Sequence, residues 1–202
     1  MPPPSATTRR GPAARSRRTP AATAPTAHRA GEREEKRDEI VRAARVLLLR
    51  DGYDATSMHR IAAAVEVAPN TLYWYFADKD AVLVAVLEGL LAESARQYVD
   101  RREDSLEALL TWAIELLDGM AALIATVHAR AARAESVRVW HDGFHRIVEA
   151  TIVEQLRARG LAVGRETEAA LATVFVVEGM LAHHLPAAQR ESLVAWMVSR
   201  LR

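Results

Sequence analysis

The sequence has no cysteine, which excludes disulfide frameworks, cysteine-ligated zinc and thiol chemistry and fits a reducing cytoplasm. Proline is scarce after residue 31, where Pro69 and Pro186 are the two remaining of eight, so little interrupts helices there. Long apolar runs are also lacking. The longest stretches, such as Gly119 to Val127, fall far short of the ~18 to 20 residues of a membrane span, and a soluble chain without membrane partners is expected. Nor is there a glycine-rich phosphate loop, a Ser-His-Asp arrangement or a pair of carboxylates in an apolar setting, so the chain is read as no enzyme, with no catalytic residue and no cofactor. Aromatic residues make up 5% of the chain, yet Tyr73, Trp74, Tyr75 and Phe76 stand side by side.

What is present is apolar content and uneven charge. Half of the 202 residues are hydrophobic, enough to bury a core in one ordinary domain or two small ones. The net charge of +1 hides an asymmetry: residues 1–31 carry Arg9, Arg10, Arg15, Arg17, Arg18 and Arg29 with no acid, an arm of +6 on a body of −5. Six prolines lie in the same arm, a composition that does not recover its ordering entropy in water. The arm is expected to be disordered when free, either a solvated tail or a strand of charge laid along a polyanion.

From Glu32 onward the hydrophobic period is helical. Ile40, Ala43, Ala44, Leu47 and Leu48 form one stripe that stops at Asp51-Gly52, where glycine suits a C-terminal cap. Thr56 and Ser57 are N-cap types ahead of Met58, Ile61, Ala62 and Val65, which predicts a short second helix. A tight turn at Glu66-Val67-Ala68 comes next, and Pro69 opens a third helix predicted to reach Phe76. Ala77-Asp78 ends it, and Leu83, Val86, Leu87, Leu90 and Leu91 mark a long fourth helix.

Two short helices across a three-residue turn, packed on a first helix, make a helix-turn-helix. With Leu72 and Phe76 facing the core, Asn70, Tyr73 and Trp74 turn outward, and three consecutive aromatics cannot all face one core. Asn70 and Thr71 suit base edges or phosphates, Tyr73 a phosphate or a thymine methyl, and Lys79 a phosphate. The helix start itself favours an anion through its dipole.

Residues 37 to 87 resemble the N-terminal DNA-binding domain of the TetR (tetracycline repressor) family of bacterial regulators. The resemblance rests on Ile40 and Ala43-Ala44, Gly52-Tyr53 with Thr56-Ser57, Ile61-Ala62, and the run Thr71 to Phe76 followed by Lys79. It departs from the family at Glu66, where glycine is usual, and at Ala68, where serine is common. A left-handed Glu66 would cost about 1 to 2 kcal/mol, and a missing cap oxygen at position 68 roughly 1 kcal/mol.

The resemblance implies an all-α protein whose three-helix head, residues 32–78, is joined by a long helix to a C-terminal helical bundle, residues 79–202, that dimerises. It implies a DNA-contact set of Ser57, His59, Arg60, Pro69, Asn70, Thr71, Tyr73, Trp74 and Lys79, although Ser57 is equally well read as a cap and Arg60 as a solvated charge. It implies a homodimeric repressor on a pseudo-palindromic operator, released by a small-molecule effector. Alternatives are a DNA-binding regulator without an inducer, or a helical enzyme with an unrecognised site.

Helical stripes cover Leu106 to Gly119, Ala121 to Ala134, Val137 to Arg159, Glu166 to Leu185 and Glu191 to Leu201. Ala169 to Ala182 is apolar almost all round and needs cover on more than one side. The expected dimer face is Phe175, Leu181, Leu193, Trp196, Met197 and Leu201. The expected effector pocket draws on Trp112, Met120, Trp140, Phe144 and Phe175, with His128, His145 and Glu178 as polar groups. His141, His145 and Glu149 succeed one another at intervals of four, so two of them can share a metal. One helix does not readily supply three ligands and nothing adjacent in sequence completes a set, so they are read as a polar face and no metal is expected. His183-His184 suit a helix C-terminus.

Overall fold

A computed structural model describes residues 24–202, with side chains from residue 30. The described residues are helical and contain no strand: α1 Ala24–Asp51, α2 Met58–Ala64, α3 Pro69–Leu72, α4 Lys79–Arg101, α5 Leu106–Asp118, α6 Ala121–Ala131, α7 Glu135–Ala158, α8 Glu166–Ala182 and α9 Ala187–Ser199. The all-α architecture follows from the periodicity. Helix α1 starts upstream of the expected boundary at Glu32, so residues 24–31, expected in the disordered arm, are helical. The rest of that arm lies outside the described residues. Among the described residues, those up to Glu35 fall in one unit and Lys36–Arg202 in a second, which holds the remainder of α1 and all of α2 to α9.

Within this second unit, one apolar cluster runs through the head and into the body. Ile40, Ala44, Leu47 and Leu48 of α1 pack with Ile61 and Ala62 of α2, Leu72, Phe76, and Leu83 and Val86 of α4. Leu123 and Val127 of α6 and Val137 of α7 belong to the same cluster. The cluster thus has members on both sides of residue 79. A second cluster joins Leu106, Leu110 and Ile114 of α5 to Leu156, Val177, Met180, Leu181, Val194 and Met197.

The helix ends explain the turns. Gly52 has φ 81° after α1, the left-handed conformation glycine adopts without a Cβ penalty. Thr56 is fully buried and its hydroxyl donates to the Gly52 carbonyl at 2.8 Å, while Ser57 caps α2 by accepting from the Arg60 N–H at 3.2 Å. At the far end of α2 the Val67 N–H reaches Ala62 O at 3.0 Å and the Glu66 N–H reaches Ala63 O at 3.3 Å. That pair of bonds is a Schellman motif, and its left-handed position is Glu66, with φ 53°. The same motif closes α8, where His184 has φ 49° and the Leu185 N–H donates to Met180 O at 3.1 Å.

Glu66 thus carries a backbone cost that glycine would not. Glu66→Gly is expected to stabilise the chain by about 1 kcal/mol, the left-handed penalty less the added freedom of the unfolded glycine. In a thermal melt this reads as a rise of roughly 2 to 4 °C. A fall in Tm would mean that the Glu66 side chain contributes more than its backbone costs.

Candidate nucleic-acid interface

Helix α3 is shorter than the sequence suggests. Its α-helical part is Pro69–Leu72, four residues, and the chain then tightens into turns in which Trp74 N–H bonds Thr71 O at 3.1 Å and Tyr75 N–H bonds Leu72 O at 3.0 Å. The reason lies at both ends. Ala68 occupies the N-cap without a side-chain hydrogen bond, and Leu72 and Phe76 both enter the core, at 0% and 4% exposure. So short a helix has little macrodipole, and its start exerts little of the expected pull on an anion.

The tight turn still sorts the side chains. Tyr73 is 50% and Trp74 78% exposed, and Asn70 is exposed beside them at helical spacing. Pro69 and Thr71 are half-buried. Tyr75 is the aromatic of the run that packs partly against the core with Phe76, so the three consecutive aromatics divide between solvent and interior. A wide aromatic face held by two buried anchors is suited to pack on a ligand surface rather than on the protein.

The basic residues have partners. Arg60 donates to Asp51 Oδ2 and to the Ala55 carbonyl, both at 2.6 Å. Hydrogen bonds from Arg50 and Arg60 hold the Asp51 carboxyl well below the usual carboxylate range. Arg60 is therefore a clamp on the α1–α2 corner, while its side chain stays 44% exposed. Ser57 is the cap of α2, and His59 is exposed on the same helix. Lys79 is also engaged: its ammonium donates to Tyr53 O at 2.9 Å and sits 3.8 Å from the centre of the Tyr53 ring. Of the nine expected contact residues, Ser57, His59, Arg60, Asn70, Tyr73 and Trp74 are exposed and Pro69, Thr71 and Lys79 half-buried, while Ser57, Arg60 and Lys79 also hold the head together.

A latch joins the head to the body. Asp80, in the first turn of α4, accepts hydrogen bonds from the Tyr53 hydroxyl at 2.6 Å and from Arg130 Nε of α6 at 3.0 Å, with Arg130 Nη2 on its second oxygen. Arg130 also lies 5.4 Å from the centre of the Tyr53 ring. Nothing in the sequence points to this group, because its members are widely separated along the chain.

In the bundle, the expected pocket residues divide: Trp140 stacks on Phe144, which meets His145 edge-on, whereas Trp112 and Phe175 lie apart from them. Met120 and Trp140 pack against the first core cluster. Trp112 lies under the Arg101 guanidinium at 5.7 Å, and Phe175 is 64% exposed, so neither lines a pocket with the others. A groove of about 730 Å³ lies elsewhere, bordered by Arg146, Glu149, Val153, Arg157 and Thr167. His128, His145 and Glu178 do come together, with His141. The expected dimer face also divides: Leu181 and Met197 are buried in the chain's own second cluster and Leu193 and Leu201 lean on it, leaving Phe175 and Trp196 outward. Leu181 and Met197 face inward because α8 and α9 both pack on α5.

The described residues thus form a helix-turn-helix head with an exposed aromatic face, carried on a helical body. Residues 40–86 match the family model described as bacterial regulatory proteins, tetR family, and this segment of the chain is similar to that family. Over 71 residues the chain is 35% identical to the class A tetracycline repressor protein from transposon 1721 of Escherichia coli, covering 35% of this chain and 33% of that protein. The match thus spans about a third of that curated relative. Two solved structures share the fold over most of the chain. A transcriptional regulator from Rhodococcus sp. Rha1 has a TM-score of 0.68 at 15% identity, over 82% of this chain and 95% of that one. A transcriptional regulator from Saccharomonospora viridis in complex with choline has a TM-score of 0.64 at 16% identity, over 82% and 96%. Among the described residues no single helix is long and apolar enough to cross a membrane.

Proposed function

We propose that the chain is a transcriptional repressor that binds a pseudo-palindromic DNA operator as a homodimer and is released by an effector held in its helical body. The observation that carries this reading is the outward face of Asn70, Tyr73 and Trp74, anchored from behind by buried Leu72 and Phe76. Asn70 and Thr71 supply polar contacts to bases or phosphates, and the two aromatics supply apolar cover and a hydroxyl. The Arg-rich residues 1–31 would add sequence-independent attraction to phosphates. The family match of residues 40–86 supports the same reading, as does the choline complex of a structural neighbour for the effector.

Dimerisation rests on α8 and α9. Leu171 and Phe175 of α8 and Trp196 of α9 are 44%, 64% and 57% exposed, more large apolar surface than a free bundle face normally leaves to water. A two-fold partner covering this face sets two heads on one side of a duplex, with half-sites ~34 to 36 Å apart or a multiple of that. Selection from a random duplex pool is expected to return an inverted repeat. Phe175→Asp with Trp196→Asp is expected to yield a monomer by sedimentation that loses the repeat, because each head then binds alone. Recovery of no retained sequence at moderate salt would overturn the regulator reading, and an unchanged dimer mass in the double variant would overturn this face.

A further inference from the structure

We propose that His128, His141, His145 and Glu178 bind a divalent transition-metal ion of the zinc type. The four side chains come from α6, α7 and α8; the three histidines form one group and Glu178 stands beside two of them. The ligand nitrogens of the three histidines lie within 4.8 Å of one another. The Nε2 atoms of His141 and His145 are 3.1 Å apart. Glu178 Oε1 stands 3.2 Å from His145 Nε2 and 3.8 Å from His128 Nε2. Ligands at ~2.0 to 2.1 Å from a tetrahedral zinc are about 3.3 Å apart along each edge, so the shortest separations already match and His128 has the furthest to move.

The donor set and its surroundings favour an ion over a chance polar cluster. Three imidazoles and a carboxylate suit zinc, cobalt or nickel. His141 and His145, four residues apart on α7, have the helical spacing at which two imidazoles meet one ion. The His145 ring is held edge-on by Phe144 at 5.7 Å, and Phe144 stacks on Trp140 at 5.4 Å. His141 points Nε2 into the cluster and has Nδ1 3.6 Å from Asp142, longer than a hydrogen bond. Side-chain exposure of 21% for His145 and 47% for His128 leaves an entry path. The helical pair is visible in the sequence. Glu149, next at the same spacing, borders the separate groove, and His128 and Glu178 join the pair from neighbouring helices.

Resting on the DNA-binding reading, the same geometry connects the ion to the head. His128 and Arg130 are two residues apart on α6, and Arg130 holds Asp80 and Tyr53 at the head. Drawing His128 onto an ion displaces the helix that carries the latch, so the ion biases the position of the head by its differential affinity for the two arrangements.

Untagged, chelator-treated protein titrated with Co²⁺ in the absence of DNA is expected to bind one ion per chain with the visible absorption of a tetrahedral N/O site, displaced by Zn²⁺. His145→Ala and the isosteric Glu178→Gln are each expected to weaken binding by more than about 10-fold, the loss that even outer partners of a metal cause, with helical circular dichroism retained. Glu149→Gln is expected to leave the ion affinity unchanged. Absence of stoichiometric binding by the wild-type chain, or retention of it in both ligand variants, overturns the site. Operator affinity measured with and without Zn²⁺ is expected to differ by about 5-fold or more. Equal affinities overturn the link to the head, whereas failure of the ion-free protein to bind any DNA strikes the regulator reading and leaves the direct ion titration standing.

Discussion

Tyr73→Ala combined with Trp74→Ala is expected to cost about 4 kcal/mol of operator binding, near 1,000-fold in Kd, taking each aromatic as a contact worth about 2 kcal/mol. Both side chains are at least half exposed, and the fold is anchored by Leu72 and Phe76 beneath them, so helical circular dichroism and dimer mass should not change. Neither residue is cationic. The salt slope of the residual binding is therefore expected to stay that of the wild type, since the slope counts phosphates neutralised by Lys and Arg. An affinity within threefold of wild type would remove this face from the DNA interface. A loss accompanied by a shallower slope would assign it to a general disturbance of the head.

The second large effect is expected at the latch. Asp80→Asn removes the charge that Arg130 and Lys79 face and weakens the acceptor of the Tyr53 hydroxyl. The pair is part-buried, with side-chain exposures of 29% for Arg130 and 13% for Asp80. The loss should fall between that of a surface pair and that of a fully buried one, about 2 kcal/mol or roughly 4 to 8 °C in Tm. Burial by itself raises the Asp80 pKa, but hydrogen bonds from Arg130 and Tyr53 and the charges of Arg130 and Lys79 outweigh it, and the net shift is downward. A carboxylate with a depressed folded pKa contributes stability that is complete above its unfolded value, near ~3.9, and is lost as pH falls through the folded value. Wild type should therefore lose stability below about pH 4, and Asp80→Asn should show a flatter acid limb. Identical acid limbs would mean that the carboxylate is not linked to folding. Burial and the Asp80 hydrogen bond also raise the Tyr53 pKa, so the phenol stays protonated and keeps donating. Tyr53→Phe removes that single donor and should cost less than the loss of Asp80.

The latch and the histidine cluster show why some features stay hidden in the sequence. Helix existence is legible because each stripe is local: the Ile40 to Leu48 period, the Gly52 cap, Pro69 at a first helical turn and the breaks at Gly160 and Pro186 need no knowledge of distant residues. The outward turn of Tyr73 and Trp74 follows from the positions of Leu72 and Phe76 on the same turn. The length of α3 does not follow, because propensity cannot say that an uncapped start and two buried anchors will tighten the helix after Leu72. The pairing of the exposed Arg60 with Asp51 is not legible in the sequence because Asp51 belongs to another helix. Leu181 and Met197 read as partner-subunit contacts because an all-apolar helix does not declare which side its own bundle covers.

The sequence by itself determined the all-α class, the helix-turn-helix, the aromatic face and the family resemblance, since all depend on periodicities and motifs within a few turns of chain. Tertiary structure alone decided that Asp80 meets Arg130 across 50 residues, that one core runs through head and body, and that His128 and Glu178 join the α7 histidine pair. These depend on which helix faces pack together. That choice is made by the summed burial of many side chains from the whole bundle, and no local pattern carries it.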